Sequence, residues 1–435
     1  MSKLTGVLPA AAMEVEQTDG RGRSFRVIVL ASLGGALEGY DYLLYGLFAS
    51  YISAAFFPTG NPVTSLASTF AVYASGYFIR PIGGLVMAHF GDIVGRRKIF
   101  LVSMLVVSLA TIAMGLMPSF ESVGIGATIG FVLLRLVQGF GVGGEVAGAI
   151  TYAAESAGKR LGLACGVLFG IGCAGSVFAS TVNVFLQMLL PARLAELYAW
   201  RVAFVVGGLL GFVFLWTRRY LSESAAFERV KVVRETTPFA EVMRDYKPQI
   251  VLALSMISVV GTYNAFLLAY LPAYLIRVLH YSGAETAAGV GVGITSLAIF
   301  VIGLGALADA TSRKWMFRLG ALCMTAGAWP MFHALATHHL SLTVLFILYG
   351  IFGGMTHSSF VAMLAKLFPT RVRFTGIAFC YNIGLAVFQG LTPIMATLLL
   401  LRSGHSLEAP AFVLIGTACV ALAASFFVHR FTPHL

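Results

Sequence analysis

The chain has 435 residues, of which 58% are hydrophobic and only 11% charged, against about a quarter charged in a globular domain. A mean hydropathy of +0.88 is more than soluble cores can hide, because cores stop growing near about 250–300 residues and need polar cover. The net charge of +11 would suggest nucleic-acid binding in a soluble protein, so its placement along the chain has to decide.

A bilayer-spanning helix needs about 20 mostly apolar residues. Twelve stretches qualify, roughly 27–54, 64–90, 99–118, 123–155, 161–190, 200–219, 248–276, 286–308, 315–335, 341–366, 374–400 and 410–429. The alternating segments of about ten residues that mark an outer-membrane barrel do not occur. The expected fold class is therefore an all-α membrane protein with 12 transmembrane helices. Residues 1–26 form a polar tail without a secretory signal. The only long polar connection, 220–247, separates a six-helix bundle at 27–219 from a second at 248–430. Within it, Thr237 followed by Pro238 reads as an N-cap and first turn, predicting a short surface helix over 239–246.

Lys and Arg concentrate in the connections on one side of these spans, including Arg96, Arg97, Lys98, Lys159, Arg160, Arg218, Arg219, Arg313 and Lys314. The other side holds only Arg193, Arg201, Arg277 and Arg402, and Arg80 and Arg135 lie within spans. The positive-inside rule then places both termini in the cytoplasm and turns the basic excess into a topology signal. Nucleic acid drops out as a partner. The five cysteines are odd in number, lie in apolar stretches and follow no metal spacing, so no metal site is expected.

The halves echo each other. Gly91-Asp92-Ile93-Val94-Gly95-Arg96-Arg97-Lys98 follows the second span, and Ala308-Asp309-Ala310-Thr311-Ser312-Arg313-Lys314 follows the eighth. Repeats of this kind with a site between them are a secondary-transporter architecture. The first of these loops resembles the signature of the major facilitator superfamily. Arg135-Leu136-Val137-Gln138-Gly139-Phe140-Gly141-Val142-Gly143-Gly144-Glu145, Leu37-Glu38-Gly39-Tyr40-Asp41-Tyr42 and Arg80-Pro81-Ile82-Gly83-Gly84 are similar to its metabolite:proton symporter family. So are Phe368-Pro369-Thr370-Arg371-Val372-Arg373, Tyr381-Asn382 and Gly390-Leu391-Thr392-Pro393. That family takes up citrate and other carboxylates, shikimate, aromatic acids, proline and betaine. The resemblance implies proton-coupled uptake of a small polar metabolite across a bacterial inner membrane, by a monomer with protons as its only coupling cofactor. It also implies gating roles for Asp92 and Arg96, which can reach Glu155, and for their repeat counterparts Asp309 and Arg313. Ser312 stands where the first loop has Gly95, so the second copy departs from the pattern.

Ionisable groups deep in a bilayer cost at least about 2.5–3.5 kcal/mol each, which makes them functional suspects. They are Glu38, Asp41, Arg80, Arg135, Glu145 and His357. Glu38 and Asp41 share a helical face with Tyr45, and proton coupling is assigned to Asp41, Glu38 and Glu145. The plainer alternative for either of the first two is a static ion pair with Arg135. Arg135, with Gln138 one turn on, is the first choice to grip an anionic substrate, since guanidinium matches carboxylate geometry. Arg80 either grips substrate or braces spans two and four. Tyr263, Asn264, His357, Tyr381 and Asn382 supply neutral hydrogen-bonding groups from the second half, and Tyr73, Tyr77 and Tyr270 are further candidates for a polar cavity.

No P-loop, H-E-x-x-H or G-x-S-x-G sequence is present, which argues against a pump or an enzyme. Two arginines favour an organic acid, such as a di- or tricarboxylate, as substrate. A zwitterionic osmolyte is the alternative, and a drug or metabolite antiporter a more distant one.

Overall fold

In the computed structural model the described residues are 10–58, 62–219, 238–404 and 406–431. Side chains at 10–24 and at several helical positions, among them Tyr73, Asp92 and Arg96, lie outside the described set, as does 220–237, including Thr237. The described residues are helical nearly throughout. Eleven helical stretches are each long and apolar enough to cross a bilayer, and the 33-residue helix Pro62–Val94 takes the remaining place. The short helix after the central connection is observed at Pro238–Asp245.

The first span runs from Ala10 to Leu47 and, after a break at Phe48, continues as Ala49–Phe56. The fourth is broken: Ile125–Val142 ends and Glu145–Ser156 begins on either side of Gly143–Gly144. Spans seven and eleven each contain a π-helical turn, at 266–270 and 385–389. Such turns free backbone groups and often mark functional sites.

Close packing brings the halves together. Span five (Leu161–Leu189) lies against span eight (Gly283–Ala310), backbone to backbone: a methyl placed on Gly166 would fall on the Val301 carbonyl oxygen, and one on Gly305 on that of Gly162. Small residues are what permit helices in lipid to approach so closely. These contacts lie towards the side of the bundle that carries the central connection.

Candidate transport site

Three buried ion pairs sit along the first half, each joining an acid to an arginine on another helix. Glu38 of span one accepts from Arg80 Nη1 of span two at 2.5 Å. Arg80 also donates to the Tyr42 hydroxyl. Its guanidinium carbon stands 4.8 Å from the Tyr42 ring centre and 4.5 Å from that of Tyr77. The bracing expected between spans two and four thus runs between spans two and one, because the Glu38 carboxylate is the anion within reach.

One turn further, Asp41 is held on both oxygens. Arg135 Nη1 donates to Oδ2 at 2.8 Å and Gln138 Nε2 donates to Oδ1 at 2.8 Å. Gln138 Nε2 also donates to Thr111 Oγ1 at 2.7 Å, while its carbonyl accepts from Arg135 at 2.5 Å. The i, i+3 spacing of Arg135 and Gln138 puts both on the face toward span one. The Tyr45 ring lies 4.7 Å from the Arg135 guanidinium carbon, and its hydroxyl donates to the Thr69 carbonyl at 3.3 Å.

The third pair was not legible as a pair. Sequence counts Arg218 with the basic residues on the side of the central connection, yet it is fully buried at the end of span six (Trp200–Arg218). Its Nη1 donates to Glu145 Oε2 at 2.7 Å, Nε to Leu30 O at 3.1 Å and Nη2 to Ala31 O at 2.8 Å. Ser103 donates to the other Glu145 oxygen, and the Phe100 ring lies 3.9 Å from the guanidinium carbon. A methyl at Gly34 would strike this pair, so span one carries a glycine there. The only sequence signal was the doublet Arg218-Arg219, where one member continues the helix.

Between the halves lies a small cavity of about 110 Å³, well below the ~300–1,000 Å³ of sites for drug-sized ligands. Its walls include Glu38, Tyr42, Phe169, His357, Tyr381 and Gln389, with Ser176 and Asn264. Glu38 is the only Asp, Glu, Lys or Arg in this wall. Its second oxygen, Oε2, takes no hydrogen bond from the described residues. Asn264, His357 and Tyr381 were expected here; Tyr42, Gln389, Phe169 and Ser176 were not assigned to it. Gln389, a lone polar residue in an apolar run, was the available signal.

The remaining candidates lie elsewhere. Asp41, Arg135, Gln138, Tyr45 and Glu145 are outside the cavity wall. Tyr263 is buried behind it, stacked on Tyr349 with ring centres 4.2 Å apart. His357 Nδ1 meets the Gly353 carbonyl oxygen at 2.8 Å, and Nε2 meets the Asn264 side-chain amide at 3.0 Å. Asn382 turns away and donates to the Gly143 carbonyl at 2.7 Å, across the halves and onto the break in span four.

On the side bearing the central connection the halves are latched. Asp309 accepts from the backbone N–H groups of Gly162 and Leu163, both at 2.8 Å. A carboxylate of one half thereby caps a helix N-terminus of the other, where the helix dipole favours negative charge. Arg313 donates to Asp309 at 2.6 Å and to the Lys159 carbonyl at 2.9 Å. Glu155 lies 3.5 Å from Arg373. At the cavity, Gln389 Nε2 donates across the halves to the Tyr77 hydroxyl at 3.2 Å. Near the end of span nine, His333 Nδ1 lies 2.9 Å from Oε1 of Glu408, which stands in the connection between the last two spans, and this hydrogen bond holds the Glu408 carboxyl below its usual range.

A sequence profile of the Major Facilitator Superfamily matches residues 31–388. A protein described as a putative proline/betaine transporter of Staphylococcus aureus (strain COL) is 30% identical over 415 residues, covering 94% of this chain and 88% of its own. The glycine betaine/proline/ectoine/pipecolic acid transporter OusA of Dickeya dadantii is 29% identical over 446 residues, covering 97% and 86%. The structure of the proton:xylose symporter XylE bound to 6-bromo-6-deoxy-D-glucose superposes with a TM-score of 0.79 at 17% identity, covering 95% of this chain and 97% of that one. The same symporter from E. coli in its inward-open form gives 0.63, covering 94% and 96%.

Proposed function

The chain belongs to the Major Facilitator Superfamily and, within it, to the metabolite:proton symporter family, and from that premise we propose that it imports a small zwitterionic osmolyte of the proline or betaine type together with protons. The observation that carries this reading is the cavity wall. All three deep arginines of the first half are engaged by acids, so a di- or tricarboxylate finds no cation facing it. A solute with an ammonium group finds the bare oxygen of Glu38 and the rings of Tyr42, Phe169 and Tyr381, and cations are attracted to aromatic faces. Its carboxylate end can take hydrogen bonds from the second Nε2 hydrogen of Gln389 and from the Asn264 amide nitrogen, both in the cavity wall. The organic acid favoured by counting arginines gives way, and the small volume argues against a drug-sized solute. The relatives' described substrates support the same choice.

The two acids of span one then divide the work. Glu38 receives the solute, while Asp41, away from the cavity and clasped by Arg135 and Gln138, carries the proton. Protonation of Asp41 removes the charge that holds Arg135 and loosens spans one and four. Glu145, clasped by Arg218, ties spans one, three, four and six into one body, a bracing role in place of a proton-carrying one. The bundles at 27–219 and 248–430, joined through 220–247, rock about the cavity as the Asp309 and Asn382 latches break and re-form. We place the latched side in the cytoplasm with both termini, on the distribution of Lys and Arg.

The test is uptake by proteoliposomes of radiolabelled betaine and proline, with succinate and citrate as comparison solutes, under an imposed pH difference. Accumulation of the zwitterions in response to an acid exterior is expected. Glu38→Gln should weaken their apparent affinity about tenfold or more while the response to pH persists. Accumulation of carboxylates alone would overturn the reading.

A further inference from the structure

On the side of the bundle opposite the central connection, spans three (Arg96–Leu116) and six leave a groove of about 530 Å³ that shares no lining residue with the central cavity. Its only charged wall residue is Arg201. Arg201 Nη1 donates to the Gly115 carbonyl at 3.3 Å and to that of Met117, at the end of span three, and its guanidinium carbon lies 4.3 Å from the Trp200 ring centre. The end of a helix carries only partial negative charge, so these carbonyls aim the guanidinium without neutralising it.

Arg80, Arg135 and Arg218 each meet a carboxylate. Among the described residues none lies within ion-pair distance of Arg201, and Glu121, on the neighbouring short helix Phe120–Val123, makes no ion pair with it. The remaining guanidinium N–H groups have no acceptor among the described residues. Ser119, Ser122 and Tyr198 bring hydroxyls to the same groove, and Leu116, Val202, Val205 and Val206 form its apolar wall. Leu116, Tyr198 and Val202 are exposed on the outside of the bundle, where lipid lies.

We propose that this groove is a phospholipid site, with the lipid phosphate on Arg201 and the serine and tyrosine hydroxyls, and the upper acyl chain along the valines. A phosphate oxygen supplies the anion that the guanidinium lacks, and bidentate guanidinium–phosphate pairing is geometrically favoured. The apolar wall continuous with the hydroxyl-lined end selects a lipid over a free anion.

Native mass spectrometry of the delipidated full-length protein, titrated with phosphatidylglycerol, reads the site directly. Diacylglycerol and inorganic phosphate serve as the two half-ligands. Wild type should bind the phospholipid about tenfold more tightly than Arg201→Gln. Arg193→Gln, which removes another cation on the same side, should leave binding unchanged. If Arg201→Gln does not fold, the Ser119→Ala/Ser122→Ala double variant should weaken binding about threefold. Equal phospholipid binding by wild type and the altered groove overturns the proposal. So does diacylglycerol binding as tightly as phospholipid, or inorganic phosphate alone displacing the lipid at millimolar concentration.

Discussion

The two halves of this molecule bury different chemistry in similar frames. In the first, among the described residues, Glu38–Arg80, Asp41–Arg135 and Glu145–Arg218 are charged pairs at depth. In the second, the deep polar groups are neutral contacts: His357 with Asn264, Tyr349 donating to the Tyr263 carbonyl at 3.1 Å, Thr262 with Thr392 at 3.3 Å. The second half keeps its ion pair, Asp309–Arg313, at the rim. A duplicated helical frame can thus be specialised by side chains alone, one copy burying charged pairs and the other groups that only hydrogen-bond.

The comparison predicts that the first half is the more fragile. Arg218→Met should have the largest effect, because it leaves Glu145 buried without its cation. Removing one partner of a buried pair costs about 3–5 kcal/mol. A large fall in the apparent Tm of the purified protein is expected, and an unchanged Tm would show that Glu145 is not held as the geometry indicates. Asp41→Asn should abolish accumulation driven by a pH difference while exchange of preloaded solute continues. Accumulation at the wild-type level by that variant would move the proton elsewhere. His357→Gln is the matching change in the other half; it should cost about three- to tenfold in solute affinity, one hydrogen bond's worth, and leave proton drive intact. Loss of proton drive in this variant would break the division of labour between the halves.

Smaller effects sharpen the picture at the rims. Asp309→Asn removes the charge that caps span five and should weaken the latch by about 1 kcal/mol, a roughly fivefold shift toward the unlatched state. The native Cys165 thiol, fully buried one turn from Gly162, reports this without an added cysteine: its alkylation should quicken by a similar factor. The smallest effect concerns Glu408. Its carboxyl is held below the usual 4.5 by the His333 hydrogen bond, so its contribution is fully present above about pH 4.5. That contribution is lost as the pH falls through the lowered folded value. The group is partly solvated, which limits it to less than about 1 kcal/mol. His333→Ala should flatten this part of the Tm-against-pH curve.

Much of the site was legible in sequence because ionisable groups in apolar spans announce themselves. Glu38, Asp41, Arg80, Arg135, Glu145 and His357 were all singled out, and all are buried. Their pairing was not legible. Helical spacing places Asp41 and Glu38 on one face but does not say which arginine faces which acid. Arg218 escaped because a basic residue at a helix end looks alike whether it turns to water or inward. Asn382 was expected to face solute, yet the break at Gly143–Gly144 offers it a carbonyl on the opposite half.

Composition and the length of apolar runs determined by themselves that this chain crosses the membrane as helices, because a bilayer tolerates no unsatisfied backbone and sets the span length. Repeated loop motifs likewise determined the duplication. Only the tertiary structure decided which oxygen stays bare in the cavity. That depends on distances of a few ångströms between helices far apart in sequence: Arg80 takes one oxygen of Glu38 and leaves the other without a hydrogen bond among the described residues.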